Sequence, residues 1–303
     1  MKNLIKILML LLVFLLVYKY KNNITDFIID NYINKKESQE VINNEYSLEY
    51  NFKYVKKTND FSVKNKQQLL DVFYTYLDSG VEEFYFYCDY EACENDVNEL
   101  TKIDIYSNIN NFVHPYNTYN KLYITMNSWD KVTFKIIKSY NETEINRINA
   151  KLDDIISKII NDNMDTKQKI KEFHNYIINN TSYDTNYTNN KLDDITHYSH
   201  RATGPLFYSK ALCGGYSHIM SIFLNKLKIP NYRISSDTHI WNLVYIDNNW
   251  YHLDLTWDDP VTSDNSNILL HKFFLIDTNT LNEYNTGKHT FDKNVYIETN
   301  QVY

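Results

Sequence analysis

Residues 211–227 read ALCGGYSHIMSIFLNKL, a run in which a cysteine and two glycines precede a mostly apolar segment. Apolar residues recur at helical spacing over residues 219–227, which places Cys213 at or near the first turn of a helix. There the helix dipole and the free backbone N–H groups favour a thiolate. Gly214 and Gly215 would let the backbone of a substrate approach closely. Taken alone, however, Cys213 is better explained as a buried structural cysteine, since free cysteines are often interior.

Three strands are predicted directly after this helix, at residues 233–236, 239–246 and 250–257. Asp247 and Asn248 separate the last two strands, and both residue types accept the positive φ of a two-residue turn. The sequence therefore predicts an antiparallel hairpin that is closed by this turn.

The register of the hairpin brings His239 near Asp254. Counting back from the turn puts Asp254 opposite Trp241, and His239 lies two residues further along the same strand face. Diagonal neighbours are about 7 Å apart at the backbone, within reach of histidine and aspartate side chains. A carboxylate bonded to one imidazole nitrogen would orient the ring and leave the other nitrogen for a thiol. A turn centred one residue later would instead slip Asp254 to the opposite face.

Three sequence runs resemble, in order, the motifs of the transglutaminase-like superfamily, a branch of the papain-like thiol enzymes: ALCGGYS at 211–217, THIWN at 238–242 and WYHLDLTWDDP at 250–260. Flanking segments extend this resemblance to about residues 150–295. The resemblance implies that Cys213 is the nucleophile, that His239 is the base and that Asp254 orients it. Gly214 stands where the family often has Gln, and the side-chain donor of the oxyanion hole has no counterpart that we can assign.

The resemblance also implies acyl transfer on protein or peptide amides. Cys213 would attack the amide carbonyl and form a thioester, while His239 protonates the leaving amine. Water as the second nucleophile gives proteolysis or deamidation, and a lysine amine gives cross-linking. We expect Gly214, Gly215 and Trp241 to contact the substrate. No cofactor is expected, and no metal, because no run resembles a complete calcium loop.

The fold class predicted from the whole chain is α+β, with a papain-like catalytic domain at residues 144–303. Before it we expect an accessory α+β domain at 46–143, a polar linker at 22–45 and a hydrophobic segment at 1–21. The further elements predicted are strands at 46–55, 81–87, 121–126 and 131–140, and helices at 67–77, 144–161 and 167–178.

The hydrophobic segment, LIKILMLLLVFLLVY at residues 4–18, would span roughly 22 Å as a helix. No small residues follow it to mark a cleavage site, so an uncleaved single-pass anchor with an extracytoplasmic catalytic domain is the preferred interpretation. A cleaved signal peptide and a buried helix are the alternatives. The membrane is accordingly an expected partner of the chain.

Charge and cysteine content limit the other function classes. The net charge is −7, with isolated basic pairs, which argues against nucleic acid as a partner. Of the three cysteines, Cys88 and Cys93 could pair in an exported chain and leave Cys213 as the reactive thiol. A rival to the enzyme is a non-catalytic cell-surface binding module that keeps the fold.

Four further polar residues lie close to these motifs. His252 is expected to line the cleft or to be exposed, and His218 to be solvated on its helix. Asp258 and Asp259 are expected to shape a turn before Pro260.

Overall fold

The computed structural model describes residues 6, 9, 13, 16–21, 39–100, 108–127, 130–189, 194, 196–261, 268–284 and 287–300. The chain divides into two compact units, Met1–Gln39 and Glu40–Tyr303. In the first unit, residues 16–21 are helical and exposed. The elements named below all belong to the second unit.

The predicted single-pass membrane anchor is corrected by the structure. Within the described ranges, no helix combines the length and the apolar character needed to cross a membrane. Most of the predicted segment and most of the predicted linker lie outside the described residues.

The first sheet has four strands in the order β1-β2-β4-β3. They are β1 (Ser62–Val63), β2 (Glu83–Cys88), β3 (Tyr119–Met126) and β4 (Lys131–Lys138). Two helices accompany the sheet, α1 (Lys66–Ser79) and α2 (Cys93–Leu100). The strand predicted at 46–55 is irregular instead. Cys88 and Cys93 form a disulfide that joins the end of β2 to the start of α2.

Two amphipathic helices follow, α3 (Glu142–Ile159) and α4 (Thr166–Asn180). Each begins with a capping box, in which the side chains of the N-cap and of the third helical residue bond each other's backbone N–H groups. The N-caps are Asn141 and Asp165. Both helices agree with the prediction because their apolar spacing and their caps are local signals.

A short two-stranded parallel ladder leads into the central helix. It pairs β5 (Ser182–Tyr183) with β6 (Lys210–Ala211). Between them lie α5 (Thr185–Asn189), a 3₁₀ turn at Tyr198–His200 and a π turn at Gly204–Tyr208. The central helix, α6 (Cys213–Lys226), starts two residues after β6.

The second sheet has the strand order β10-β9-β8-β7. Its strands are β7 (Asn231–Ser235), β8 (Ile240–Ile246), β9 (Asn249–Leu253) and β10 (Phe274–Ile276). Two short helices, α7 (Leu255–Asp258) and α8 (Thr278–Glu283), follow β9 and β10. The third strand predicted here was too long, because the chain leaves the sheet after Leu253 and begins α7.

The turn of the β8–β9 hairpin has the predicted register. Ile246 pairs with Asn249, and Asp247 and Asn248 have φ values of 50° and 66°. The alternative slipped turn is therefore not the one adopted.

The hydrophobic core of the second unit forms two clusters. One cluster contains residues of both sheets, such as Phe84 and Phe134 from the first and Tyr232 and Leu243 from the second. The other surrounds α6, which is buried along most of its length. The start of this helix is therefore held rigidly by packing.

Candidate active site

Cys213 is the first residue of α6 and is the free cysteine of the chain. Its side chain is buried, with 6% of the residue exposed. The preceding residue, Leu212, donates its backbone N–H to Ser199 at 2.7 Å. Because Cys213 is the first helical residue, its own N–H has no acceptor within the helix.

Gly214 and Gly215 allow α6 to start directly against the turn at Tyr198–His200. A Cβ at Gly214 would lie 2.8 Å from the carbonyl oxygen of His200. One at Gly215 would lie 2.5 Å from that of Ser199. The space that these glycines leave is thus filled by the protein's own backbone, and their predicted contact with a substrate stays a prediction.

His239 and Asp254 are brought together as the hairpin register predicts. His239 immediately precedes β8, and Asp254 is the N-cap of α7 at the end of β9. The Nε2 atom of His239 lies 2.6 Å from Oδ2 of Asp254. The other carboxylate oxygen, Oδ1, accepts the backbone N–H groups of Thr256 at 2.9 Å and Trp257 at 3.4 Å. The helix cap therefore fixes the carboxylate that orients the imidazole.

The electrostatics of this pair favour an ion pair. Burial disfavours the charged form of His239, but the Asp254 carboxylate and a hydrogen bond with Cys213 outweigh it and raise the pKa of His239 to about 10. Burial also opposes ionisation of Asp254, but His239 and His289 hold its pKa well below the usual range. His239 is thus an imidazolium at neutral pH, held through Nε2 by the Asp254 carboxylate.

His289 is a further member of the site, and the sequence did not reveal it. Its Nε2 lies 2.8 Å from the same Oδ2 atom of Asp254, and 4% of the residue is exposed. Its ring stacks on Phe273, with centroids 5.2 Å apart. No local pattern signals this contact, because 35 residues separate His289 from Asp254.

One buried group in the described part of the chain has donor atoms that could hold a metal ion. It consists of His239, Asp254 and His289. One donor atom from each lies within 4.8 Å of the others. Imidazole and carboxylate donors of this kind suit zinc, although three ligands alone would leave a position open.

Trp241 and His252 pack behind the site. Trp241 is 1% exposed and lies nearly parallel to His239, with ring centroids 5.5 Å apart. Its Nε1 donates to Nδ1 of His252 at 3.0 Å, and the other nitrogen of His252 bonds Thr278. His252 is fully buried, so it neither lines the cleft nor faces solvent as we expected. The predicted contact of Trp241 with substrate stays a prediction, because its observed neighbours are protein side chains.

The two aspartates before Pro260 do more than shape a turn. Asp258 is fully buried, accepts the N–H of Phe273 at 2.9 Å and lies 3.1 Å from Nε2 of His174. Asp259 accepts a hydrogen bond from the hydroxyl of Tyr216. Asp258 thus links α7 to α4, whereas Asp259 faces the cavity described next.

A cavity of about 540 Å³ opens beside Cys213 and His239. Tyr183 and Trp257 supply aromatic wall, while Asp259 supplies a carboxyl group. Tyr183 reaches this position because β5 pairs it with Ala211, two residues before Cys213. A mostly apolar cleft with a few polar groups is typical of a site for small molecules or peptide side chains.

Residues 153–255 match the family model described as the transglutaminase-like superfamily. The matched segment contains Cys213, His239 and Asp254. The chain therefore carries a transglutaminase-like core. The resemblance seen in the three sequence motifs is confirmed, and so is the mixed α and β architecture around them.

Among solved structures, the chain is similar to one described as a crystal structure of a TGase, with 17% sequence identity and a TM-score of 0.36. The match covers 49% of this chain and 48% of the other, so it spans about half of each. No curated protein sequence matched the chain.

Proposed function

We propose that this chain is a cysteine-dependent acyl-transfer enzyme that acts on protein or peptide amides. The observation that carries the proposal is that Asp254 holds His239 at 2.6 Å while His239 and Cys213 line the same cleft. A thiol that is paired with an imidazolium and opens on a cavity has the arrangement required of a nucleophile.

The first step is attack of the Cys213 sulfur on the amide carbonyl. The carbonyl π electrons move onto oxygen, and the Cys213 backbone N–H, which has no acceptor within the helix, would donate to this oxyanion. His239 then gives its proton to the leaving nitrogen as the C–N bond breaks, which leaves a thioester on Cys213. Asp254 keeps the ring oriented while the charge on His239 changes.

The second step regenerates the thiol. A nucleophile gives its proton to His239 and attacks the thioester carbonyl, and the sulfur leaves as the new acyl bond forms. Water gives proteolysis or deamidation, and a primary amine gives cross-linking. Proteolysis and deamidation are simpler than cross-linking, because they need only water as the second substrate.

Alkylation of Cys213 tests the proposed triad directly. Cys88 and Cys93 are joined in a disulfide, so iodoacetamide reports on Cys213 alone. We expect iodoacetamide to label Cys213 faster at neutral pH than an ordinary thiol. In His239→Ala the rate should fall about tenfold or more, because the imidazolium that favours the Cys213 thiolate is lost. Labelling at the ordinary rate, unchanged in the variant, would contradict the enzyme and favour the non-catalytic binding module.

The reaction type is decided by a second assay. The chain is incubated with a glutamine-containing protein and a fluorescent primary amine, with Cys213→Ala as the control. Incorporated fluorescence identifies a transferase, new peptide termini identify a protease, and a mass gain of about 1 Da per converted glutamine identifies a deamidase. If none of the three products forms while Cys213 is still reactive, the glutamine side chains and backbone amides of that protein are excluded as substrates.

A further inference from the structure

A second cavity lies beside the start of α6, and His200 lines both this cavity and the cleft beside Cys213. Its volume is about 50 Å³, which is room for a few water molecules or one small ion. Arg201, Arg233 and His218 line it, together with asparagine, serine and threonine side chains. The walls are therefore polar and carry two guanidinium groups.

Arg233, on β7, is a buried cation without a counter-ion among the described residues. Only 1% of the residue is exposed. Its Nη2 donates to the backbone carbonyls of Asn110 and Val113. Its Nε and Nη1 atoms are buried and have no hydrogen-bond partner in the described part of the chain. A buried charge that is neither paired nor fully bonded is strongly destabilising.

Arg201 contributes a further unused donor but little additional net charge. Its Nη2 donates to Glu144 at 2.7 Å and to the carbonyl of Ser139. Its Nε atom is buried and has no partner among the described residues. Since Glu144 balances the charge of Arg201, the uncompensated charge of the cavity belongs to Arg233.

The neighbouring histidine responds to this positive charge. His218 bonds the hydroxyl of Tyr140 at 2.8 Å and lies in the cavity wall, not in solvent as we expected. Burial, with the charges of Arg233 and Arg201, holds the pKa of His218 well below its usual value. Burial likewise lowers the pKa of Arg233 to about 10. The local potential is thus positive.

We propose that this cavity binds a small inorganic anion of the size of chloride between Arg233 and Arg201. Arg233 and Arg201 both line this space, and no described residue supplies a negative charge to Arg233. The anion compensates the buried charge, which neutral water would not. Gly214 and His200 also line the cavity, so a bound anion stabilises the start of α6 without entering the cleft.

Thermal unfolding of the full chain in different sodium salts tests this site. At constant ionic strength, gluconate is replaced by chloride or bromide. For a dissociation constant of about 1 mM, 100 mM chloride should raise Tm by roughly 5 °C over gluconate. An equal Tm in all three salts would mean that the cavity holds water only, and the proposal would be wrong.

Two variants locate the effect. Arg233→Met removes the buried charge and should abolish the gain in Tm from chloride. Asn120→Asp places a carboxylate in the cavity wall and keeps an oxygen to accept the Ser139 hydroxyl, which bonds Asn120 at 2.9 Å. Asn120→Asp should raise Tm in gluconate and remove the response to chloride. This variant alone can test the site if Arg233→Met does not fold.

The matched control is Asn149→Asp. Asn149 also accepts a hydroxyl, from Tyr116 at 2.9 Å, but it does not line this cavity. This variant should keep the full chloride response of the wild type. An undiminished response in Asn120→Asp would place the anion elsewhere and overturn the proposal. Because no step measures catalysis, the outcome is independent of the proposed enzymatic function.

Discussion

At the residue scale, Asp254 connects more of the site than any other side chain described above. One oxygen accepts from His239 and His289, and the other caps α7. Its carboxylate therefore depends on contacts from three separate segments of the chain. The sequence predicted the contact with His239 from strand register, but it gave no signal for His289.

We predict that His289 positions Asp254 and thereby His239. His289→Phe removes a hydrogen bond to a charged group, worth about 1.5–3 kcal/mol, so the alkylation rate of Cys213 should fall roughly tenfold or more. His289→Gln can restore a donor and should recover part of the rate, which a packing role would not explain. Equal rates in wild type and His289→Phe, measured with iodoacetamide on folded protein, would exclude this role.

A second residue-scale prediction concerns Asp259 and the charge of ligands in the cleft. The residue is 7% exposed, and burial raises its pKa to about 6 despite the hydrogen bond from Tyr216. Above pH 6 it is a carboxylate that attracts cations. Asp259→Asn should lower the ratio of Cys213 modification rates for cationic over anionic methanethiosulfonates about tenfold at pH 7.5, equivalent to ~1.4 kcal/mol.

The pH dependence of this ratio has a definite sign. As pH falls through 6, protonation of Asp259 removes the negative charge, so the wild-type ratio should decline toward that of Asp259→Asn. His200 and Lys288 also line the cleft and contribute the same background to both proteins. Asp237→Asn removes an exposed carboxylate near His239 and should change the ratio less than twofold. A larger effect there than at Asp259 would refute the assignment.

At the element scale, the start of α6 depends on two glycines. Helix and strand positions follow from local periodicity, and the Asp247-Asn248 turn follows from residues that accept positive φ. The need for glycine at 214 and 215 is different, because it arises from the backbone of the Tyr198–His200 turn. From the sequence we expected these glycines to admit a substrate backbone, whereas in the structure they admit the backbone of the Tyr198–His200 turn.

Gly215→Ala is expected to destabilise the fold. Its Cβ would lie 2.5 Å from the Ser199 carbonyl oxygen, which belongs to backbone that cannot rotate away. Overpacking of this kind typically costs about 1–3 kcal/mol, which urea denaturation can measure. Gly287→Ala is the control that separates steric clash from backbone strain. Its Cβ would have no atom within 4 Å, but φ is 66°, so the free energy of unfolding should fall by only about 1 kcal/mol. An equal or larger loss at Gly287 would contradict the packing explanation.

At the scale of the whole molecule, the two sheets of the second unit share one hydrophobic cluster. Phe112 illustrates this sharing, since its ring lies 5.1 Å from Phe52, 5.2 Å from Tyr232 and 5.6 Å from Tyr296, between centroids. The division into an accessory domain and a catalytic domain stays a prediction from sequence. A shared core is the feature that would make the two regions unfold together.

We predict a single unfolding transition in which Phe112 participates. Phe112→Ala should destabilise the fold by about 3–5 kcal/mol, because it leaves a cavity between the two regions. In calorimetry the transition should move to lower temperature without splitting. Tyr123 lies on the first sheet but is exposed, so Tyr123→Ala leaves no cavity in the core and should shift the transition temperature little. Two separate transitions in the wild type would show that the regions are independent domains.

From the amino-acid sequence we predicted the four longest helices (α1, α3, α4 and α6), six of the strands, the β8–β9 turn and the approach of His239 to Asp254. These features depend on side-chain periods of about 2 residues in strands and 3.6 residues in helices, and on contacts within one hairpin, all of which are local in sequence. The contact of His289 with Asp254, the buried pair of Asp258 with His174 and the isolated charge of Arg233 became visible only in the folded chain. Each joins segments separated by 35 to 123 residues, and no local period encodes which distant segments will meet.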